Sequence, residues 1–122
     1  MTQQLVILDA CVFVAAALKH DGVSAKVLYF CEESADIVVL WSQKLAYELH
    51  EDFYANADLA PLIRPETKVG IFTRLENIAT LVEDVKLDEP LPLSHDRDDD
   101  YLVALAHRHN ATLITLDRKL IE

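Results

Sequence analysis

Leu5-Val6-Ile7-Leu8-Asp9 is the stretch of sequence that decides the fold. Its four apolar residues, two of them β-branched, predict a short buried strand, and Asp9 marks the point where that strand ends. Good helix formers follow directly at residues 10–18, so the pattern indicates a strand and then a helix. An uninterrupted apolar strand is typical of a sheet that is covered on both faces.

Strands and helices continue to alternate along the rest of the chain. Further strands are predicted at residues 37–41, within 79–85 and at 112–116. Helices are predicted at residues 24–33, from the N-cap Ser42 through Phe53, and at 66–78. A last helix starts in the acidic run at residues 96–100 and ends near Asn110. This order predicts an α/β fold whose largely parallel sheet is flanked by helices.

The apolar positions of a helix predict which of its faces lies inward. The inward residues predicted for the helix at 66–78 are Val69, Phe72, Leu75 and Ile78 or Ala79. Those predicted for the last helix are Leu102, Val103, Leu105 and Ala106.

Length and composition predict one domain, spanning residues 1–122. The chain has 122 residues, of which 52% are hydrophobic, and this is enough to bury a core of ordinary size. Its N-terminus has no basic region, and Asp9 interrupts the first apolar run, so we expect neither a signal peptide nor a membrane span. We therefore expect a cytoplasmic protein in which Cys11 and Cys31 are reduced, packed thiols without a functional role.

The balance of charge bears on the class of partner. Twenty-one acidic and 11 basic residues give a formal net charge of −10, which by itself opposes binding to nucleic acid. Two divalent ions held by acidic side chains would add four positive charges and change −10 to −6. An acidic surface also favours a basic protein partner.

Acidic side chains follow two of the predicted strands. Asp9 ends the first strand and Asp117 follows the last, and ligands of open α/β sheets bind outside these carboxyl ends. Each residue also has a structural explanation, because Asp9 would suit a helix N-cap and Asp117 would suit a turn. Position alone leaves both explanations open.

Two further acids are singled out by their helical phase. Glu48 borders the apolar stripe formed by Leu45 and Leu49, although its position alone is more typical of a solvated surface glutamate. The nearby Glu51 and Asp52 show that acids are common on this helix, and Asp52 falls four residues after Glu48.

Asp99 belongs to the run Asp96-Arg97-Asp98-Asp99-Asp100, whose carboxylates would also favour the positive end of a helix dipole. Within that run, Asp99 lies nearest the predicted buried face, with Asp98 and Asp100 to either side. A cluster of carboxylates requires cations to offset its repulsion, and oxygen ligands favour Mg²⁺ or Mn²⁺. Such ions can activate water for phosphodiester hydrolysis.

Three segments of the sequence resemble the PIN-domain nucleases, which include the VapC-type toxins of bacterial toxin–antitoxin pairs. They are Val6-Ile7-Leu8-Asp9-Ala10-Cys11-Val12-Phe13-Val14, Ser42-Gln43-Lys44-Leu45-Ala46-Tyr47-Glu48-Leu49, and residues 96–106 continuing to Leu113-Ile114-Thr115-Leu116-Asp117. The resemblance implies a three-layer PIN-like fold with a mostly parallel central sheet. Relatives usually continue past the position of Glu122 into a further edge strand, so we expect four or five strands.

The resemblance also implies an activity and a set of site residues. It predicts an Mg²⁺- or Mn²⁺-dependent ribonuclease in which Asp9, Glu48, Asp99 and Asp117 bind the metal and hydrolyse RNA. Ser42 and Thr115 are expected to support these acids by hydrogen bonds. The implied partners are an RNA substrate, an antitoxin protein and a second copy of the chain. One departure is Arg97, which replaces the proline common at that position in relatives.

Four cations lie close in sequence to a strand end or to a proposed ligand segment. As candidates for RNA contacts we single out Lys19, Arg97, Arg118 and Lys119, each of which is also consistent with a solvated surface residue.

Two other functions are consistent with parts of the pattern. One is a PIN-like module that binds RNA or protein without cleaving it, which the net charge of −10 favours. The other is a phosphoacceptor or phosphatase domain, which also places an aspartate after the first strand. Asp9-Ala10-Cys11 lacks the Asp-x-Asp of such phosphatases, and no lysine ends a late strand.

Overall fold

The structure, a computed structural model, describes residues 3–85 and 100–116, with Asp100 described by its backbone alone. Its strands are β1 (Gln4–Leu8), β2 (Ile37–Ser42), β3 (Ala79–Val82) and β4 (Thr112–Ile114). Its helices are α1 (Ala10–Leu18), α2 (Val23–Glu33), α3 (Gln43–His50), α4 (Pro65–Ile78) and α5 (Asp100–His109). A π-helical turn, Glu51–Ala55, extends α3, and a short 3₁₀ turn, Ala60–Leu62, precedes α4.

The four strands form one parallel sheet in the order β3-β2-β1-β4. β1 is an inner strand, because it pairs with β2 through Ile7 and Leu40 and with β4 through Leu8 and Ile114. Its last three residues are buried, as expected for an inner strand of a covered sheet. The predicted α/β fold with a parallel sheet is confirmed, with four strands in the described residues.

α1 is the most apolar of the helices and lies at the centre of the helical packing. Val12, Phe13 and Val14 are all buried, and the helix contacts α2, α3 and α4. A helix that is apolar nearly all round must be enclosed by other elements. Since α1 begins immediately after β1, this packing fixes the direction in which the chain leaves the sheet at Asp9.

The inward face predicted for α4 is only partly right. Leu75 is buried as expected, but Val69 is 59% exposed, and Lys68 and Ile71 take the inward positions one residue earlier. Lys68 is tolerated there because its ammonium donates a hydrogen bond of 3.0 Å to the carbonyl oxygen of Ala60. The aliphatic part of the Lys68 side chain therefore packs inward where the apolar pattern predicted that Val69 would.

The bounds of the other elements agree with the sequence pattern to within one or two residues where the structure describes them. The inward face predicted for α5 is right at Leu102 and Leu105, but Val103 is only half-buried and the fully buried Tyr101 was not predicted. Cys11 and Cys31 are free thiols, as predicted. Within residues 3–85 and 100–116, none of the helices combines the length and apolar character needed to cross a bilayer.

Asn110 ends α5 in the left-handed backbone region, with φ of 52°. The amide of Ala111 donates to the carbonyl oxygen of Ala106 at 2.8 Å, which closes the end of the helix. Glycine and asparagine adopt this conformation readily, whereas β-branched residues do not. Asn110 is therefore a backbone requirement of the turn that leads into β4.

We predict that Asn110→Val lowers the free energy of unfolding by about 1–2 kcal/mol, because valine is strained at positive φ. Asn110→Gly, the matched control, should stay close to wild type because glycine has no such strain. Urea denaturation of the three proteins measures the difference. Equal midpoints for the valine variant and wild type would show that the turn relaxes without cost.

Candidate metal site at the carboxyl ends of the strands

Asp9 lies at the carboxyl end of β1 and is only 7% exposed. It occupies the N-cap position of α1, with φ of −62° and ψ of 150°, but its side chain makes no capping hydrogen bond. Instead, Oδ2 accepts a hydrogen bond of 2.8 Å from the hydroxyl of Thr115. Capping therefore does not explain the carboxylate of Asp9.

Thr115 follows β4 directly, and β4 is the parallel neighbour of β1. The amide of Asp9 donates to the carbonyl oxygen of Ile114 at 3.0 Å, so the sheet continues its pairing up to this point. This pairing brings Thr115 beside Asp9 across 106 positions of sequence. The expected supporting hydrogen bond from Thr115 to an acid is present in the structure.

Cys11 contacts the same group of atoms. Its sulfur lies 3.7 Å from the Thr115 hydroxyl and accepts a hydrogen bond of 3.4 Å from the amide of Leu116. Burial, together with the negative charge of Asp9, raises the pKa of the Cys11 thiol, so the neutral form is favoured. The sequence pattern indicated no role for Cys11, but the structure places it beside the Asp9–Thr115 pair.

Glu48 lies on α3, half-buried, and belongs to the same electrostatic environment as Asp9. Burial raises the pKa of Glu48, a hydrogen bond from Tyr101 and the charge of Lys44 lower it, and the charges of Asp9 and Asp52 raise it. The tyrosine hydroxyl donates to Oε2 at 2.6 Å. Glu48 is therefore a partly desolvated carboxylate, which argues against a freely solvated surface role.

Asp52 is an acid whose position sequence analysis noted without assigning it a function. It lies half-buried in the π-helical turn Glu51–Ala55, and turns of this kind are rare and are frequent at functional sites. Burial, followed by the charges of Asp9 and Glu51, raises the pKa of Asp52. The acidic cluster, as we call it from here, consists of Asp9, Glu48 and Asp52.

Ser42 ends β2 and is completely buried. Its Oγ accepts a hydrogen bond of 3.2 Å from the amide of Leu45, which confirms it as the N-cap of α3. Asp84, two residues after β3, accepts the neighbouring amide of Lys44 at 3.0 Å. These two bonds fix the start of α3, the helix that carries Glu48. The hydrogen bond seen for Ser42 is to the backbone, so its predicted hydrogen bond to an acid stays a prediction.

The remaining predicted site residues are not brought together by the described part of the chain. Asp99, Asp117, Arg97, Arg118 and Lys119 lie outside the described residues. Lys19 is exposed and follows the last residue of α1, roughly 14 Å along the helix axis from the end that begins at Asp9. Its position in the sequence suggested a location nearer the strand ends.

The chemistry of the acidic cluster fits a hard divalent cation. It offers carboxylate oxygens, the donors that Mg²⁺ and Mn²⁺ prefer, at the edge of the sheet where α/β proteins bind ligands. Within residues 3–85 and 100–116, however, no three or more His, Cys, Asp or Glu side chains are grouped closely enough to hold an ion. A complete site therefore needs further ligands, a role for which Asp99 and Asp117 are the predicted residues.

Tyr101 and Lys44 are two neighbours of the cluster that sequence analysis missed. Tyr101 has an apolar position in α5, where a tyrosine resembles any other core residue. Its only sequence signal is its place two residues after Asp99. Lys44 precedes Glu48 by four residues, a spacing that places both on one side of a helix and that could have indicated the pair.

Comparison with known proteins gives one match and one negative result. A family model described as PIN domain matches residues 5–119, which is nearly the whole chain. No curated protein matches the sequence significantly.

The acidic cluster predicts an unusual dependence of stability on pH when metal is absent. Because the pKa values of Glu48 and Asp52 are raised in the native state, that state binds protons more readily than the unfolded chain does. Their contribution to stability is then fully present below the unfolded pKa of about 4 and is lost as pH rises through the raised native pKa.

Thermal melts in chelator across this pH range measure the effect. The double variant Glu48→Gln/Asp52→Asn should lose less stability than wild type as pH rises, because both titrating groups are gone. Glu76→Gln, at an exposed acid on α4, is the control and should follow wild type. If the double variant parallels wild type throughout, the two acids are not strained by burial.

Proposed function

The chain belongs to the PIN-domain family, whose members are in general nucleases, and from that membership we propose a ribonuclease dependent on Mg²⁺ or Mn²⁺. Its reaction is the hydrolysis of RNA phosphodiester bonds. The proposed metal-binding and catalytic residues are Asp9, Glu48, Asp99 and Asp117.

The environment of Asp9 is the observation that carries this proposal. Asp9 is 7% exposed, its charge raises the pKa values of Glu48 and Asp52, and it is not used as a helix cap. Such a carboxylate is costly to retain for stability alone. Divalent cations would offset this repulsion. Partly buried acids with perturbed pKa values are also a frequent mark of functional sites.

Each side chain of the site has a role in this mechanism. When bound, divalent ions supply Lewis acidity that lowers the pKa of an attacking water and stabilises charge on the leaving oxygen. Thr115 holds one oxygen of Asp9 in place, and Glu48 approaches from α3. Asp99 and Asp117 complete the oxygen ligands, in positions given by the sequence motif.

The proposed biological role is that of the toxin in a toxin–antitoxin pair. The net charge of −10 favours a basic protein partner, and the proposed partners are an antitoxin and a second copy of the chain, in the cytoplasm. Growth arrest on expression, relieved by the product of a small adjacent reading frame, supports this role. Normal growth on expression of active protein counts against it.

A PIN-like module that binds RNA or protein without cleaving it is the alternative. It is favoured by the net charge of −10. The presence of all four motif acids in the sequence favours cleavage. Nuclease assays with and without metal distinguish the two functions.

We predict that purified protein cleaves generic single-stranded RNA with Mg²⁺ or Mn²⁺ and loses this activity in chelator, because the site offers oxygen ligands and a water nucleophile. Asp9→Asn should abolish cleavage. Asp98→Asn and Asp100→Asn should retain most of it, because the resemblance to PIN-domain nucleases assigns the metal ligand in that run to Asp99. Gel assays with labelled RNA measure all three variants.

Full activity in chelator would exclude the metal mechanism. If Asp98→Asn alone loses activity, the metal ligand in the acidic run is Asp98 and not Asp99. An Asp9→Asn protein that remains active would exclude Asp9 as a ligand, and its melting curve would check that it is folded.

A second prediction concerns the cations proposed to contact RNA. Binding measured as a function of salt, in chelator to prevent cleavage, reports how many phosphates are contacted. If Arg118 and Lys119 each contact one phosphate, replacing both with alanine should reduce the salt slope by about 1.4. Lys19→Ala should change it less, because Lys19 lies at the end of α1 remote from Asp9. If the salt slope is unchanged in every variant, Arg118, Lys119 and Lys19 do not contact phosphate and are solvated surface residues.

A further inference from the structure

Tyr101 connects α5 to the acidic cluster. It is buried, with 1% of its surface exposed, and its hydroxyl donates a hydrogen bond of 2.6 Å to Oε2 of Glu48. The two residues are 53 positions apart and lie on different helices. A short hydrogen bond to a carboxylate is among the stronger hydrogen bonds in proteins and constrains the orientation of the acceptor.

Lys44 covers the ring of the same tyrosine. Its ammonium nitrogen lies 4.3 Å from the ring centroid, within the range of a cation–π interaction. The backbone of Lys44 is itself fixed, because its amide donates to Asp84. Tyr101 is therefore held by the core on one side and contacted by a cation on α3, the helix that carries Glu48.

We propose that Tyr101 is a positioning residue that sets the orientation in which Glu48 meets a divalent cation. The tyrosine hydroxyl donates its hydrogen bond to Oε2 of Glu48, so Oε1 is the oxygen left to bind the cation. A glutamate side chain otherwise has several rotatable bonds to order when it binds metal. This inference rests on the proposed function, since it assumes that Glu48 is a metal ligand.

A core tyrosine that simply satisfies its hydroxyl is the competing explanation, because buried tyrosines generally have a hydrogen-bond partner. The two explanations differ in what the hydroxyl affects. A purely structural bond affects folding, whereas a positioning bond affects the affinity for metal in protein that is already folded. Hydrogen-bond partners of metal ligands typically alter affinity by about 10- to 100-fold when they are removed.

Calorimetric titration with Mn²⁺, without RNA, therefore tests Tyr101→Phe against wild type. We expect the Mn²⁺ dissociation constant to rise by about 10- to 100-fold. Tyr47→Phe, a change of the same kind at a residue on α3 that is 64% exposed, should bind as wild type does. Cleavage by Tyr101→Phe should need more Mn²⁺ and should approach the wild-type kcat at saturation.

Unchanged Mn²⁺ affinity in folded Tyr101→Phe protein overturns the inference, whether or not its melting temperature falls. A wild type that binds no Mn²⁺ also overturns it. If wild type binds Mn²⁺ without cleaving RNA, the proposed function fails, while the effect of the tyrosine on affinity still decides the inference. If wild type cleaves RNA and Tyr101→Phe matches it at every Mn²⁺ concentration, only the inference fails.

A second measurement does not depend on whether Tyr101→Phe folds. The chain has four tyrosines, and Tyr101 donates a hydrogen bond to Glu48, so Mg²⁺ binding to Glu48 should perturb the near-ultraviolet absorption of Tyr101. The difference spectrum should persist in Tyr29→Phe, Tyr47→Phe and Tyr54→Phe. Mg²⁺ binding to wild type without any tyrosine difference spectrum overturns the inference.

Discussion

The hydrogen bond from Thr115 to the buried carboxylate of Asp9 is the interaction on which the rest of the site depends. It exists because β1 is an inner strand with β4 as its parallel neighbour, so that the residues following both strands meet at one edge. The apolar packing of α1 then removes Asp9 from solvent without giving it a capping role. The fold thus places a carboxylate where burial weakens its solvation by water.

Much of the fold could be predicted from the sequence because its signals are local. The branched run before Asp9, the N-cap Ser42 and the helix-ending Asn110 each have a short-range physical cause, and each is confirmed. The α4 stripe was predicted wrongly at Val69 because lysine can be buried when its ammonium finds a carbonyl oxygen, as Lys68 does. A binary apolar pattern carries no information about such a partner.

The site was less accessible to prediction than the fold. Asp9 and Glu48 could be selected by strand end and helical phase, and their role as metal ligands stays a prediction. The contacts of Tyr101 and Cys11 span 53 and 104 positions, so no local pattern reports them. Asp52 lies in a π-helical turn, and its position could not be predicted from the 3.6-residue period of an α-helix. Asp99 and Asp117 stay predictions from the sequence motif.

The long reach of the Thr115–Asp9 bond also sets an order of events during synthesis. Asp9 leaves the ribosome early, whereas its partner is 106 residues later, and β4 is the last strand along the described chain. Pairing between distant strands is slow compared with helix formation, because the intervening chain must first be ordered. For most of its translation, the nascent chain therefore contains Asp9 without the hydrogen bond from Thr115. The arrangement of charge at the strand ends becomes native-like only when β4 joins the sheet.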